Sequence, residues 1–217
     1  MAEYKVSFPD AAKTFAPEQT ALIVIDMQVD MGSPEGSFAQ SGRDVSHVAG
    51  IVPKIKRLID AARESGALVV YIQQMTLPDD HSDGEAWLAF KRRDGKKADY
   101  CLRGTHGYDI MKELEPLPND ITVPKFRPSA FHGTFLDQIL RAHKIKSCVH
   151  VGNTTEGCVL ATVMDCAFHD YYTGVVRDAV ASSVEKVHDA AITLMEMRYR
   201  MLTTDEVVDI WRSAKKN

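Results

Sequence analysis

VGNTTEGCVL, residues 151–160, is the segment of this sequence that decides the fold. An apolar run leads into a short turn rich in glycine and hydroxyl side chains, and Cys158 follows where an apolar helical pattern begins. A strand that passes into a helix through a tight turn is the repeating unit of α/β proteins. Unpaired N–H groups and the positive end of the helix dipole meet at such a turn. We therefore expect this position to favour the thiolate of Cys158, the nucleophilic form.

The rest of the chain repeats this alternation of strand and helix patterns. Short apolar runs predict strands, and apolar residues at helical spacing predict helices. The predicted strands are residues 21–25, 67–72, 121–125, 149–152 and 174–178. The predicted helices are residues 45–65, with Gly66 as a C-terminal stop, 134–143, 156–169, 185–197 and 204–212. Because the strands are apolar throughout, helices should cover both faces of a mostly parallel sheet, which gives an α/β fold of three layers.

Three segments carry neither pattern clearly. Residues 1–19 contain two prolines and are predicted to be an irregular lead-in, and residues 31–43 are predicted to be a loop because they are rich in glycine and serine. Residues 76–107 are polar and charged, and a segment of this length inside a compact domain is often functional. The sequence leaves open whether it is a lid, a partner surface or a loop that reaches a neighbouring subunit.

Composition indicates an ordinary globular domain. The chain has 217 residues, of which 45% are apolar and 26% charged, so residues 1–217 are predicted to form a single domain with a substantial core. A net charge of −4 argues against nucleic acid as a partner. No apolar run approaches the ~18 residues of a membrane helix, and none resembles a signal peptide. We therefore predict no membrane association and a cytoplasmic location.

The chain contains four cysteines, Cys101, Cys148, Cys158 and Cys166. No C-x-x-C pair is present, which argues against a zinc ribbon or a redox dithiol, and a chain of this size does not need disulfides. Cys148 and Cys166 are predicted to be small buried apolar residues. Cys101 lies in a polar segment and receives no assignment.

Three chemically useful side chains fall at the ends of predicted strands: Asp26, Lys125 and Cys158. Ligands in open parallel sheets bind beyond the carboxyl ends of the strands, so these side chains can belong to one site. A hydrolytic thiol needs a group that takes its proton and later delivers it to the leaving amine, and a carboxylate can do this. A lysine beside both groups holds the carboxylate and lowers the pKa of the thiol. Backbone N–H groups of the turn can bind an oxyanion.

Three motifs of the chain resemble those of the isochorismatase-like cysteine hydrolase family. They are LIVIDMQ at 22–28, KFRPSAF at 125–131 and GNTTEGCV at 152–159, and the resemblance extends from about residue 20 to residue 211. It implies a six-stranded, Rossmann-like sheet in an α/β/α sandwich. No phosphate-binding G-x-G-x-x-G follows the first strand, which argues against a flavodoxin-like or dinucleotide-binding protein.

The resemblance also implies a role for each residue of the site. Asp26 would be the general base and acid, Lys125 would position and polarise, and Cys158 would attack a carbonyl carbon to form a covalent acyl- or carbamoyl-enzyme. The family carries a cis peptide bond shortly before the cysteine, which here would be Asn153–Thr154. The N–H groups of Thr154 and Cys158 would then form the oxyanion hole.

Two features of the sequence indicate which branch of the family the chain resembles. Nicotinamidases carry an Asp-x-His metal-ligand set after the second strand, whereas this chain has QQMTLPDDH at residues 73–81. We therefore expect neither a metal nor another cofactor, and we interpret His81 as a solvated loop residue. Isochorismatases proper lack the nucleophilic cysteine, so Cys158 favours cleavage of a C–N bond. The turn at residues 154–158 resembles that of the carbamoyl and ureido branch, which includes N-carbamoylsarcosine amidase, biuret hydrolase and ureidoacrylate amidohydrolase.

The predicted function is a cysteine-dependent amidohydrolase that cleaves a C–N bond of a small amide, carbamoyl or ureido compound and releases ammonia or an amine. One alternative is a metal-assisted amidase of the nicotinamidase type. Another is a non-catalytic member of the fold that binds a small molecule. By resemblance, a homodimer or homotetramer is expected, with active sites near the subunit contacts.

The sequence offers four candidates for residues that contact the substrate. Arg127 is either a partner for a substrate carboxylate or half of an internal ion pair. Gln74, at the end of the second strand, is a candidate to hydrogen-bond an amide. Phe38 and Phe131 are candidates for the pocket wall, although aromatic residues near strand ends are more often part of the core.

Overall fold

The computed structural model describes residues 8–95 and 99–214, except for the side chain of residue 94. Residues 1–7 of the predicted lead-in lie outside the described residues. A six-stranded sheet forms the centre of the molecule, in the order β3-β2-β1-β4-β5-β6. All neighbouring strands are parallel. The strands are β1 (Thr20–Ile25), β2 (Leu68–Gln74), β3 (Ile121–Lys125), β4 (Ser147–Asn153), β5 (Tyr172–Ala181) and β6 (Arg200–Leu202).

Helices cover both faces of this sheet. The helices of the described residues are α1 (Ala11–Thr14), α2 (Val29–Gly32), α3 (Ser37–Gln40), α4 (Ser46–Ser65), α5 (Glu85–Lys91), α6 (Leu136–Ala142), α7 (Leu160–Phe168), α8 (Glu185–Glu196) and α9 (Thr204–Ala214). Successive side chains of a strand point to opposite faces, and β1 shows the result. Leu22 and Val24 join one apolar cluster with residues of α4 and α9, whereas Ile23 and Ile25 join a second cluster with residues of α6 and α7. The α/β/α prediction is confirmed.

The long helix α4 follows its sequence pattern closely. It was predicted over residues 45–65 and extends over Ser46–Ser65. Gly66 ends it with a left-handed backbone, φ +86°, and donates its N–H to the Ala62 carbonyl at 2.9 Å. This conformation is one that glycine adopts without strain.

The sequence patterns missed several short elements. Strand β6 has only three residues at the edge of the sheet, too few to produce a recognisable apolar run. The lead-in contains α1 and a 3₁₀ turn at Pro17–Gln19, so it is not wholly irregular. The predicted loop at 31–43 holds α3 and the end of α2. Each of these elements is too short for a helical period to be read reliably.

Residues 76–95 and 99–107, the described parts of the long polar segment, are more ordered than a loop. They contain α5 and close on themselves through a parallel bridge between Thr76 and Leu102. Lys91 forms an ion pair with Asp83 at 2.8 Å, and the two side chains are only 1% and 2% exposed. Cys101 is fully buried in this segment, although its neighbourhood in the sequence is polar. Within residues 8–95 and 99–214, no helix is both long enough and apolar enough to cross a bilayer.

Candidate active site

The sheet brings Asp26, Lys125 and Cys158 to the same edge. Asp26 directly follows β1, Lys125 is the last residue of β3, and Cys158 lies in the turn after β4. β1 pairs with both β2 and β4, so the carboxyl ends of these strands meet around Asp26. This arrangement follows from the parallel topology, because every strand then ends on the same side.

Lys125 connects the members of this group. Its ammonium nitrogen lies 2.8 Å from Asp26 Oδ2 and 3.3 Å from Cys158 Sγ. It also donates to Gln74 Oε1 at 3.0 Å. An ammonium has three donors, and here each has a partner. The side chains of Lys125 and Asp26 are both fully buried, so water competes little for these contacts.

Asp26 is held by its neighbours on both sides. Its Oδ1 accepts the backbone N–H of Gln74 at 2.9 Å, and its carbonyl accepts Asn153 Nδ2 at 2.7 Å. Its backbone is left-handed, with φ +51°, which is uncommon for a residue other than glycine. Backbone and carboxylate are thereby both oriented toward Lys125.

Gly152 allows β4 to approach Asp26 this closely. It has φ +117°, and a Cβ at this position would overlap the carbonyl oxygen of Ile25. Only glycine fits such a contact without displacing the backbone. The chain can then place Asn153 against Asp26.

The turn after β4 combines two unusual features. The Asn153–Thr154 peptide bond is cis, as the family resemblance implies. The turn Thr155–Val159 is π-helical, and α7 follows it directly. The Thr155 hydroxyl lies 2.9 Å from Nδ1 of His188 on α8, which ties that helix to the turn. Single π-helical turns are frequent at functional sites.

The electrostatics of the site differ from the sequence expectation. Burial and the Asp26 carboxylate raise the pKa of the Cys158 thiol to about 12, while Lys125 lowers it. Burial lowers the pKa of Lys125, but Asp26 and Cys158 outweigh this effect and raise it. These shifts run against the thiolate expected at the helix start, because burial and the Asp26 carboxylate favour the neutral thiol of Cys158 beside the charged lysine.

Two predicted substrate contacts are occupied within the protein. Gln74 gives its Oε1 to Lys125, and its Nε2 donates to the Met75 carbonyl at 3.2 Å. Arg127 donates to the Ser82 carbonyl and to Asp83 Oδ1, both at 3.2 Å. Of the two roles left open for Arg127, the structure shows the internal ion pair. Gln74 contacts Lys125 and Asp26 directly, and these contacts help to hold both side chains in position.

The two aromatic candidates lie in different surroundings. Phe131 is 8% exposed and stacks on His169 at 4.8 Å between ring centroids, within the core cluster of α6 and α7. Phe38 packs in a separate small cluster with Cys101 and with Tyr100. Phe131 is thus a core residue, whereas Phe38 lies beside residues that surround the thiol.

Tyr100 is a residue of the site that the sequence did not single out. Burial raises its pKa, and the negative charges of Cys158, Cys101 and Asp26 raise it further. Its carbonyl accepts the hydroxyl of Thr76, which lies just after the end of β2. In the sequence, Tyr100 lies far from any predicted strand end, so no sequence pattern pointed to it. Cys101, left unassigned from the sequence, is its neighbour in this environment.

A large cleft lies apart from these residues. It has a volume of about 1120 Å³ and is lined by residues of α2, α4 and the segment 106–116, with no contribution from Asp26, Lys125 or Cys158. The chemistry of the lysine-linked group places the candidate active site at the strand ends and not in this cleft.

Metal ligands do not converge in the part of the chain that the structure describes. There, no three His, Cys, Asp or Glu side chains are grouped to hold a metal ion. His81 is exposed at the end of a 3₁₀ turn, in the surroundings of a solvated loop residue.

Comparisons with known proteins place this arrangement in a family. The Isochorismatase domain family matches residues 20–207. Ureidoacrylate amidohydrolase RutB of Cronobacter turicensis is 38% identical over 179 residues, which cover 77% of each chain. The chain belongs to the isochorismatase family, as its three motifs indicated.

Solved structures agree with this assignment. A cysteine hydrolase from Pseudomonas syringae pv. phaseolicola 1448A superposes with a TM-score of 0.83 at 26% identity, covering 99% of this chain and 100% of the other. N-carbamoylsarcosine amidase from Thermoplasma acidophilum superposes with a TM-score of 0.70 at 27% identity, covering 87% and 98%. The predicted isochorismatase-like fold is confirmed.

Proposed function

We propose that Cys158 is the nucleophile with which this protein, an amidohydrolase, cleaves a non-peptide C–N bond of a small amide, carbamoyl or ureido compound. The single observation that carries the proposal is the position of Lys125 Nζ, within 2.8 Å of Asp26 and 3.3 Å of Cys158. The arrangement supplies a nucleophile, a proton acceptor and a fixed positive charge in one buried group. A non-catalytic binding protein has no need of this combination.

In the proposed mechanism, proton transfer and attack occur together. The thiol is neutral at rest because burial and the Asp26 carboxylate raise its pKa to about 12. Asp26 accepts the proton as Cys158 Sγ bonds to the carbonyl carbon, so the negative charge passes from the carboxylate through sulfur to the carbonyl oxygen, and Lys125 stabilises the charge that develops on sulfur. Asp26 then returns the proton to the departing nitrogen as the C–N bond breaks. Water attacks the thioester-type intermediate in the same way, with Asp26 as base, and frees Cys158.

The developing oxyanion also needs donors. We propose the backbone N–H groups of Thr154 and Cys158 for this role. Support comes from their place in the turn between β4 and α7, where backbone donors are not all used by the helix. A helix start also carries positive potential, which favours an oxyanion.

The substrate class is proposed from the relatives. The curated relative is named a ureidoacrylate amidohydrolase, and one structural relative is an N-carbamoylsarcosine amidase. Both names describe compounds in which a carbamoyl group is attached to a nitrogen near a carboxylate. We propose a ureido or N-carbamoyl acid as the substrate of this chain.

Ammonia release from a panel of compounds tests the function. The panel contains (Z)-3-ureidoacrylate, N-carbamoyl amino acids, biuret, maleamate, nicotinamide and simple aliphatic amides, each with the wild-type protein and with Cys158→Ala. We expect turnover of a ureido or carbamoyl acid by the wild type and none by the variant. Turnover that survives in Cys158→Ala contradicts the proposal, and turnover of nicotinamide that a chelator abolishes favours a metal-assisted amidase.

Two further expectations belong to this proposal. We propose a homodimer or homotetramer, supported by exposed apolar side chains on and just after α8: Val187, Leu194 and Met197. We also propose that the protein works in the cytoplasm, which cell fractionation tests directly.

A further inference from the structure

Three residues form a wall near the end of β2, here called the aromatic wall: Phe38, Arg43 and Tyr100. The rings of Phe38 and Tyr100 meet edge to face, with 5.3 Å between centroids. The guanidinium carbon of Arg43 lies 3.9 Å from the centroid of the Phe38 ring. A guanidinium stacked on an aromatic face keeps its N–H edge available for a planar acceptor.

The aromatic wall is fixed next to the catalytic candidates. Thr76 follows the end of β2 and donates its hydroxyl to the Tyr100 carbonyl at 2.9 Å. The N–H of Met75 donates to the Lys125 carbonyl at 2.8 Å. The wall thus begins where β2 and β3 end. On the other side, the backbone N–H of Arg43 donates to the Phe38 carbonyl at 3.1 Å, which anchors the arginine to α3.

Arg43 is the one charged member of the aromatic wall, and its charge is positive. Arg43 is partly buried, and within the described residues no carboxylate lies at ion-pair distance from its guanidinium and no group accepts a hydrogen bond from it. Burial lowers the pKa of Arg43, Tyr100 raises it, Arg93 lowers it and Glu156 raises it. An arginine remains charged under such shifts, so a desolvated positive charge lies near the site with unused donors.

Arg127 makes the contrast clear. Its guanidinium nitrogen already donates to Ser82, Asp83 and Phe126, and its guanidinium carbon lies 5.1 Å from the Trp87 ring centroid. One nitrogen, Nη1, makes all three hydrogen bonds, and two of them tie Arg127 to the turn before α5. Arg43 has a stacking partner but no acceptor.

We propose that Arg43 is the residue that selects substrates carrying a carboxylate, which it binds through its N–H edge while Phe38 and Tyr100 contact the planar part of the molecule. The inference rests on the proposed function, because it concerns substrates of the same thiol. It specifies them as anionic acids whose carboxylate lies a few bonds from the carbonyl that Cys158 attacks. Neutral amides of the same shape are poor substrates.

The negative charge of Glu156 acts on Arg43 and raises its pKa, so the two residues must be tested together. Its Oε2 is buried and lacks a hydrogen-bond partner among the described residues. Because Glu156 is an acceptor, it suits the N–H groups of a ureido compound and repels a carboxylate. In the proposal, Arg43 outweighs that repulsion at the place where the substrate carboxylate binds.

Binding to a variant that cannot turn over tests the proposal without relying on catalysis. Calorimetric titration of Cys158→Ala uses 3-ureidopropionate, (Z)-3-ureidoacrylate and the neutral analogue 3-ureidopropan-1-ol. We expect Arg43→Gln, added to Cys158→Ala, to weaken binding of the carboxylates at least about tenfold, as loss of a charged hydrogen bond does. Binding of the neutral compound should change less than about twofold. Arg177→Gln is the matched control, since Arg177 is exposed and pairs with Glu196.

Three outcomes of the titrations overturn the proposal, and a fourth comes from a Glu156→Gln background. The three are an equal loss for acid and neutral compound, no loss for the acids, and no binding of either acid to Cys158→Ala. If Arg43 acts only by neutralising Glu156, its effect vanishes in a Glu156→Gln background, which also overturns it; persistence of the tenfold loss supports it. In the active enzyme, Arg43→Gln should raise KM for the acid far more than it lowers kcat. The hydrolase proposal is judged separately by the ammonia panel, which does not depend on Arg43.

Discussion

Lys125 determines the charge balance of the site at the scale of single residues. Its three contacts join the proposed base, the proposed nucleophile and Gln74 in a fully buried group. Buried charges are tolerated when they are paired, and here the buried ammonium of Lys125 forms an ion pair with the buried Asp26 carboxylate. The consequence is that the Cys158 thiol cannot be understood without Asp26, because the Asp26 carboxylate raises the pKa of the thiol.

Replacing Asp26 with asparagine separates the two effects of its carboxylate. Turnover should fall at least about 100-fold, because the proton acceptor is lost. The thiol should nevertheless react faster with iodoacetamide at mildly alkaline pH. Asp26 raises the pKa of Cys158 and Lys125 lowers it, so removing the carboxylate lets the pKa fall and the thiolate fraction rise. Parallel measurements of turnover and alkylation check this, and slower alkylation in Asp26→Asn contradicts the assigned charges.

Gly152 supplies a second prediction at this scale. Gly152→Ala places a Cβ onto the Ile25 carbonyl at a φ of +117°, so it should lower the free energy of unfolding by about 2 kcal/mol or more. The control is Gly50→Ala, an exposed position within α4 where an added Cβ meets nothing within 4 Å. The control should be neutral or stabilising by up to about 1 kcal/mol. Urea denaturation of both variants measures the difference, and equal stability of the two contradicts the close approach.

The sequence predicted some residues of the proposed site and missed others, and the difference has a physical reason. Asp26, Lys125 and Cys158 each follow a clear apolar strand, so their common edge follows from parallel topology. Tyr100 and Arg43 lie in segments with no periodic pattern, and only tertiary contacts bring both of them against Phe38. The ionisation of Cys158 depends on burial and on Asp26, neither of which a local pattern reports.

At the scale of elements, α5 and the turns beside it shape the surroundings of the proposed site. α5 and its flanking turns cover the ends of β2 and β3, and one carboxylate anchors them. Asp83 pairs with Lys91 at 2.8 Å and with Arg127 at 3.2 Å. The first pair is almost completely buried, so the carboxylate offsets a positive charge that water cannot reach. The described parts of this segment, residues 76–95 and 99–107, are therefore held in place by buried charge pairs.

Removal of this carboxylate should loosen the segment. Asp83→Asn leaves Lys91 buried without a counter-charge, and loss of one partner of a buried pair costs about 3 kcal/mol or more. The matched control is Asp80→Asn, which breaks the exposed pair with Arg92 and should cost less than about 1 kcal/mol. Denaturation measures stability, and hydrogen exchange locates the change. Equal costs for the two variants contradict an anchoring role for Asp83.

Among the helices and strands, the sequence predicted the long ones better than the short ones. The twenty-residue helix α4 was predicted to within a residue, because five turns of apolar periodicity leave little ambiguity. Strand β6 and the helices α1, α2 and α3 have three or four residues each, and no period can be established over so few positions. They form because the sheet edge and the neighbouring loops pack them in place.

The whole molecule presents an apolar surface on α8, the helix tied to the Cys158 turn through His188. Val187, Leu194 and Met197 are 38%, 40% and 59% exposed, and their spacing places them on one face. A helix face of this kind, repeated on a second copy, is self-complementary about a two-fold axis. An interface there would lie close to the proposed active site.

Charge on this face should therefore disrupt assembly. We expect wild-type protein to elute as a dimer or tetramer and the double variant Leu194→Glu/Met197→Glu to dissociate toward monomer, because burying unpaired carboxylates is costly. Leu117→Glu is the control, since Leu117 is 54% exposed on a loop before β3 and should leave assembly unchanged. Size-exclusion chromatography with light scattering gives the masses. A monomeric wild type, or an unchanged double variant, contradicts the assignment of this face.

The measurement that tests the central claim most directly is intact-protein and peptide mass spectrometry after rapid acid quenching of the enzyme with (Z)-3-ureidoacrylate. A thiol nucleophile predicts a covalent adduct on the peptide that contains Cys158 and none on Cys158→Ala. The added mass also distinguishes loss of ammonia, which retains the acid on the sulfur, from loss of the amine, which leaves only a carbamoyl group. Turnover without any adduct in the quenched wild type, together with activity retained by Cys158→Ala, would contradict a covalent role for Cys158.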